Sequence, residues 1–157
     1  MLRFGSSDGL PTIFINGSEE VGIGTPTPDG KLHVYTDLAG FITANDNADE
    51  IVLEGSGSVG LTMLTANDQV AAIYFGDPDD NDVGKFAYDH SANDFTFTAA
   101  ATDVLTISST AITVGVDDTG FDFKLFGATT GVFMEWDQSD DELEIRGAAA
   151  TAGTLLL

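Results

Sequence analysis

Short runs of β-branched and aromatic residues alternate along the chain with clusters of turn-forming residues. Between Ile73 and Phe97, three such runs are separated by two clusters of Asp, Asn, Ser, Pro and Gly. Strand formers bounded by turn formers predict antiparallel strands joined by tight connections. No window shows the sustained apolar spacing of three and four that indicates a helix. The pattern therefore predicts an all-β protein of short antiparallel hairpins. The predicted strands are Thr12–Ile15, Lys31–Tyr35, Ile51–Leu53, Leu61–Leu64, Ile73–Phe75, Phe86–Tyr88, Phe95–Phe97, Val104–Ile107 and Ile112–Val114.

The hairpin pattern is repeated within the chain. Residues 88–97, YDHSANDFTF, align without a gap to residues 136–145, WDQSDDELEI. The alternation at Phe95 and Phe97 predicts one apolar face against a core and one face in water. Because an isolated hairpin is only marginally stable in water, we expect neighbouring units or other chains to cover the apolar face.

The Gly/Ser tract at residues 55–58 is typical of a flexible joint. We therefore divide the chain into an N-terminal β region, residues 1–57, and a repeated β-hairpin domain, residues 58–157. For the whole chain the sequence leaves two architectures open. One is an intertwined trimeric fibre of the β-prism or β-helix type, and the other is a small β-sandwich.

The chain is strongly acidic, with 26 Asp and Glu residues against five Lys and Arg residues, and its formal net charge is −21. This charge argues against binding to nucleic acid or to an anionic membrane surface. Our main interpretation of the acidic residues is solubility, and a carboxylate-lined cation site is the alternative. The absence of cysteine excludes disulfides, a thiol nucleophile and thiolate zinc sites. No apolar run is long enough for a transmembrane helix, and the N-terminus has no signal-peptide pattern, so we expect synthesis in a cytoplasm.

The acidic loop of residues 77–82 is the clearest candidate for a calcium site. Asp77, Asp79 and Asn81 fall on ligand positions of an EF-hand loop. Asp82 occupies the position that needs Gly, and Tyr88 the position of the bidentate Glu, so the EF-hand interpretation fails. A looser calcium site remains an alternative to a solvated turn, which we favour.

Other candidate chemistry is weaker. Residues 117–120, Asp-Asp-Thr-Gly, contain the triplet of aspartic proteases, but no second copy supplies the partner aspartate, and a turn closed by Gly is the favoured interpretation. His33 and His90 lack zinc-ligand spacing, and His90 is expected to be a turn residue because Gln138 occupies its place in the repeat. No carboxylate pair stands out for glycoside hydrolysis. We assign no catalytic, cofactor-binding or metal-ligating residue. The aromatic residues expected in a core are Tyr74, Phe75, Phe86, Tyr88, Phe95, Phe97, Phe126, Phe133 and Trp136.

Three segments carry a resemblance to bacteriophage proteins. Residues 21–34, VGIGTPTPDGKLHV, resemble the GIGT…KLHV segment of many phage tail fibres and tailspikes. Residues 73–97 and 116–143 are similar to segments of structural proteins from marine and freshwater phages. The resemblance implies a virion structural protein and supplies no catalytic residue.

From these observations we expect a homotrimeric tail-fibre protein of a phage virion, with residues 1–57 as one candidate for the attachment end. Its expected partners are further copies of itself, other tail or capsid proteins, and a host cell-surface glycan or protein. A capsid decoration or fibre protein is the first alternative. A small polysaccharide depolymerase and a calcium-stabilised bacterial surface repeat protein are the others.

Overall fold

The computed structural model describes residues 2–5 and 11–147, and this part of the chain is all-β, without a helix. The chain divides into two compact units, Met1–Thr62 and Met63–Leu157, whereas the sequence placed the boundary after residue 57. Three separate sheets are formed. Their strands are β1 (Leu2–Gly5), β2 (Pro11–Ile15), β3 (Val21–Ile23), β4 (Leu32–Tyr35), β5 (Ile51–Glu54), β6 (Val70–Phe75), β7 (Gly84–Asp89), β8 (Asp94–Ala99), β9 (Thr102–Ile107), β10 (Ile112–Val114), β11 (Phe123–Phe126), β12 (Phe133–Asp137) and β13 (Glu142–Arg146).

Sheet 1 contains β1 to β5 in sequence order and is of mixed direction. The pairs β1–β2 and β2–β3 are antiparallel, whereas β3–β4 and β4–β5 are parallel. The expectation of antiparallel hairpins is therefore confirmed for β1 to β3 and wrong for β3 to β5. Parallel neighbours need a crossover that returns the chain to the same end of the sheet. Here two loops, residues 24–31 and 36–50, serve as the crossovers.

Glycine allows the first crossover to lie close against the strands. Gly24 has a φ of 84°, in the left-handed region, and a Cβ there would overlap the carbonyl oxygen of Tyr35. A Cβ at Gly30 would overlap the carbonyl oxygen of Asp49. Glycine at these two positions therefore permits the backbone of the first crossover to approach these carbonyl groups closely.

The crossovers give sheet 1 a covered face. Phe14 and His33 lie on the same face, because each is a cross-strand partner of Gly22, and both side chains are buried. Thr25 in the first crossover is also buried. The small core of the first unit thus lies between the sheet and its own connecting loops.

Sheet 2 is an antiparallel meander of β6 to β10, and sheet 3 is an antiparallel meander of β11 to β13. Here the predicted hairpins are present, and both copies of the sequence repeat form the same strand–turn–strand unit. The turn between β8 and β9 consists of Ala100 and Ala101, with φ values of 50° and 58°. Two successive residues with positive φ are typical of a type I′ turn, which suits the twist of a hairpin.

The predicted strand Leu61–Leu64 is absent: residues 55–66 contain no strand. Leu61 and Leu64 are 70% and 89% exposed. The segment has strand-forming residues, but among the described residues no neighbouring strand offers hydrogen-bond partners to it. A local preference for extended backbone does not create a strand without such a partner.

Candidate interaction faces

Sheet 2 has one entirely apolar face. Cross-strand partners point to the same side of a sheet, so the register gives the composition of each face. Ile73 pairs with Phe86, and Phe86 pairs with Phe97. No charged residue lies on this face. Its members are Ala71, Ile73, Phe75, Gly84, Phe86, Tyr88, Phe95, Phe97, Leu105, Ile107, Ile112 and Val114.

This apolar face of sheet 2 is open to solvent within one chain. Phe75 is 61% exposed, Phe95 41% and Ile112 72%. Together with Ile73, Phe86, Phe97 and Ile107 they expose roughly 600 Å², taking about 200 Å² for a whole Phe side chain. The largest apolar patch on a typical monomer is about 300–600 Å². One sheet of this chain therefore reaches the upper end of that range by itself.

The aromatic rings on this face are already packed against one another. The ring of Phe86 lies 5.5 Å from that of Phe95 and 4.7 Å from that of Phe97, between centroids. Tyr88 meets Phe95 edge-on at 4.7 Å. Because these contacts already restrict the rings, packing another surface on them would cost these side chains little further conformational entropy.

Sheet 3 repeats this arrangement on a smaller scale. One face carries no charge, and Trp136 and Leu143 on it are 44% and 54% exposed. The members of this face are Phe123, Leu125, Met134, Trp136, Leu143 and Ile145.

The opposite face of sheet 3 holds the charges. The Lys124 ammonium lies 2.5 Å from a carboxylate oxygen of Glu135 and 3.8 Å from the ring centroid of Phe133. Arg146 bonds Glu144 at 2.7 Å and lies over the same Phe133 ring at 5.0 Å. All charged side chains of β11 to β13 thus lie on one face of sheet 3.

Sheet 1 also has an uncharged apolar face, on the side away from the crossovers. Ile51 and Leu53 on the edge strand β5 are 66% and 37% exposed. This face is aliphatic, whereas the faces of sheets 2 and 3 contain aromatic rings. Its members are Ile13, Ile15, Val21, Ile23, Leu32, Val34, Ile51 and Leu53.

The nine aromatic residues expected in a core are not buried within one chain, and in that respect the expectation is wrong. Six of them do lie on the apolar faces just described. Tyr74 instead pairs with Lys85, and Phe126 and Phe133 lie on the charged face of sheet 3. The alternation of residues identified the faces, but it carries no information on what covers a face.

The Asp-x-Ser turns of the repeat have the same geometry in both copies. Asp89 Oδ1 accepts hydrogen bonds from the backbone N–H and the hydroxyl of Ser91, both at 2.7 Å. Asp137 Oδ1 accepts the same two bonds from Ser139, at 2.9 and 2.7 Å. The serine hydroxyl, with backbone N–H groups, lowers the pKa of each carboxyl group. The motif is therefore a self-contained hairpin turn, as the repeat alignment predicts.

In the candidate calcium loop, carboxylates bind the loop's own backbone. Asp77 Oδ1 accepts the N–H groups of Asp79 and Asp80 at 2.8 and 2.9 Å. Asp80 Oδ1 accepts the N–H of Asp82 at 3.1 Å. These bonds favour the solvated turn. Across residues 2–5 and 11–147, no three His, Asp or Glu side chains form a group that could hold a metal ion.

The Asp-Asp-Thr-Gly segment forms the turn expected for it. Val116 bridges to Gly120, and Asp118 and Gly120 have φ values of 63° and 69°. A Cβ at Gly120 would overlap the side chain of Gln138, so this turn lies against the Asp-x-Ser turn of sheet 3. The N–H of Gln138 also donates to Asp122 Oδ1 at 3.0 Å.

The two histidines differ in their surroundings. His90 lies in the turn between β7 and β8. Its backbone N–H donates to Gln69 O at 3.1 Å, and its ring lies edge-on to Tyr88. His33 is buried, and its Nδ1 accepts the N–H of Asp29 at 3.1 Å. Its Nε2 lies 3.1 Å from Glu54 Oε2 without forming a hydrogen bond.

The role of His33 was not anticipated from the sequence. Glu54 Oε1 accepts the N–H of Ala39 at 2.9 Å, and Asp29 Oδ2 accepts the N–H of Ala44 at 2.5 Å. The hydrogen bonds of Asp29, His33 and Glu54 therefore connect both crossovers to β4 and β5. A single histidine in an alternating strand gives no signal of this, since its partners are a residue of the first crossover, Asp29, and a residue of another strand, Glu54.

Comparison with known proteins found no matching family model, no similar curated protein and no similar solved structure. Within the described part of the chain, no helix is long and apolar enough to cross a membrane.

Proposed function

We propose that this chain is a structural protein of a bacteriophage virion, namely a tail-fibre protein that assembles as a homotrimer. The observation that carries the proposal is the open, uncharged apolar face on each of the three sheets. A chain with so many exposed apolar side chains and so few buried ones needs covering surfaces from other chains. The resemblance of residues 21–34, 73–97 and 116–143 to phage structural proteins supports the virion as the place of assembly.

Copies of the same chain are suitable partners because of the charge distribution. The net charge of −21 would oppose association if carboxylates met at the interface. No charged residue lies on the apolar faces, so assembly through them leaves the carboxylates in water. In a trimeric β-prism the apolar faces surround the axis. The charged faces then point toward solvent, other virion proteins and a host-surface glycan or protein. The proposed role is structural, without catalysis.

The first test is the solution mass of the purified protein, measured by light scattering with and without EDTA. We expect a mass near three chains at micromolar concentration, unchanged by EDTA. A mass of one chain would overturn the homotrimer. A trimer that dissociates or loses thermal stability in EDTA would favour the calcium-stabilised repeat protein instead.

The second test concerns the particle. An antibody raised against the chain is applied to purified particles of a phage that encodes it, and bound antibody is located by electron microscopy. Labelling of the tail fibres is the expected result. Labelling of the capsid would replace the tail-fibre assignment with a capsid decoration protein, and particles without the chain would overturn the virion role.

A further inference from the structure

The apolar faces of sheets 2 and 3 differ in width. Sheet 2 has five strands and sheet 3 has three. At about 4.8 Å between strands, the two faces differ by roughly 10 Å. If sheet 2 of one copy packed on sheet 3 of another, an edge of sheet 2 would stay uncovered. The two edge strands β6 and β10 carry Ile73 and Ile112, which are 43% and 72% exposed.

The charged faces are poor covers for the apolar ones. Packing the apolar face of one copy on the charged face of another would remove Arg146, Glu144 and their neighbours from water. Such desolvation is unfavourable unless new partners replace the water. The apolar faces contain no charged group, so packing one on another avoids this cost.

Symmetry adds a third argument. A contact between sheet 2 of one copy and sheet 3 of the next forms a ring only if its rotation closes, and otherwise extends into open filaments. If all copies of sheet 2 surround one axis, and all copies of sheet 3 surround the same axis, the assembly is closed. Both apolar faces are then covered by equal areas of their own kind.

We infer that the faces pack like with like: sheet 2 against sheet 2 of the other copies, and sheet 3 against sheet 3. The chains of this unit then run parallel and in register. This inference rests on the self-association in the proposed function and specifies the partner of each face.

Crosslinking at single cysteines tests the pairing. The chain has no cysteine, so each introduced thiol is unique. Phe97→Cys marks the apolar face of sheet 2 and Met134→Cys that of sheet 3, while Thr96→Cys, on the polar face of sheet 2, is the matched control. Packed sheets lie about 10 Å apart, beyond the reach of about 7 Å for a disulfide between Cα atoms. A short bis-maleimide with an arm of matching length is therefore used.

Two variants with different affinity tags are co-expressed and the purified assembly is crosslinked. For the pair Phe97→Cys and Met134→Cys, we expect crosslinks between two residues 97 and between two residues 134. Mixed crosslinks between 97 and 134 should be at least tenfold weaker, and Thr96→Cys should give none. Ile73→Cys, on the same face, is the second variant if Phe97→Cys does not assemble.

The outcomes separate the two proposals. A multi-chain mass with mainly mixed 97–134 crosslinks, or with no crosslink at any apolar-face position, would overturn like-with-like packing and leave self-assembly intact. A mass of one chain would overturn self-assembly itself, and with it this inference.

Discussion

Sheets 1 and 2 are both amphipathic, but only sheet 1 has a face that is covered by its own loops. In sheet 1 the parallel strands require crossovers, and these loops cover one face and bury Phe14 and His33. In sheet 2 each strand pairs antiparallel with the next one along the chain, so no crossover has to pass over a face. The comparison shows that a crossover provides its own core, whereas a meander obtains one only from another surface. We therefore expect sheet 2 to depend on assembly more than sheet 1 does.

The largest expected effect comes from a charge on the apolar face of sheet 2. Phe97→Asp should reduce the solution mass to that of one chain, because burying an unpaired carboxylate at an interface costs about 3–5 kcal/mol. Thr96→Asp, one residue away on the opposite face, should leave the mass unchanged. Light scattering measures both. An unchanged mass for Phe97→Asp would remove the proposed dependence of sheet 2 on assembly.

A second variant tests the core that sheet 1 builds for itself. Gly24→Ala should destabilise the first unit by about 2–4 kcal/mol, because it combines a left-handed backbone with overlap on a carbonyl group. Gly57→Ala, where an added Cβ meets nothing within 4 Å, is the control. Hydrogen exchange of peptides from residues 21–35 reports the local effect, and the mass of the assembly should not change. Equal exchange in the two variants would contradict the role of the tight crossover.

The Ala-Ala turn of sheet 2 allows a test in the stabilising direction. Ala101→Gly should raise the free energy of unfolding by about 0.5–1 kcal/mol, since Gly accepts a positive φ without steric cost. Ala92→Gly lies in a neighbouring turn and is not at a positive φ, so it should stabilise nothing. Chemical unfolding at a fixed protein concentration compares the two. A lower stability for Ala101→Gly would argue against the type I′ geometry.

The smallest effect concerns pH and the Asp-x-Ser turns. The pKa of Asp89 is lowered in the folded chain, chiefly by the hydroxyl of Ser91. Its contribution to stability is therefore full above the unfolded pKa of about 3.9 and is lost as the pH falls through the lower folded value. Asp89→Asn keeps an acceptor oxygen but does not titrate. Urea unfolding should show a difference between native and variant chains at pH 6 that shrinks toward pH 3, and a constant difference would contradict the linkage.

Much of the local structure could be predicted from the sequence. The strands of sheet 2, the hairpin of β12 and β13, and the equivalence of the turns at Asp89 and Asp137 follow from alternation, turn chemistry and the sequence repeat. The parallel direction of β3 to β5 could not be predicted, because an alternating strand looks the same in either direction. Glycine at residues 24 and 30 accompanies the first crossover, but it indicates close backbone approach only once the crossover is known.

The interaction faces could be predicted only in part. Alternation identified which side of each hairpin is apolar, as at Phe95 and Phe97. Whether a face is covered depends on contacts between distant segments or between chains, which local patterns do not encode. For the same reason a strand was predicted at Leu61–Leu64, although no described strand pairs with this segment. The burial of His33 was missed because its partners, Asp29 in the first crossover and Glu54 on β5, meet it only through the parallel pairing of β4 and β5.

The meander topology of sheet 2 also bears on the order of folding and association. Every strand pairs with its neighbour in the sequence, so the hairpins close over short loops and form quickly. In the proposed assembly, association with other copies comes afterwards, and its rate falls as the chains are diluted. During this interval the newly formed sheet presents its aromatic face to the solvent, which favours aggregation. In the proposed assembly, we expect the carboxylates on the opposite faces to repel other chains at long range and so to oppose aggregation before the copies associate.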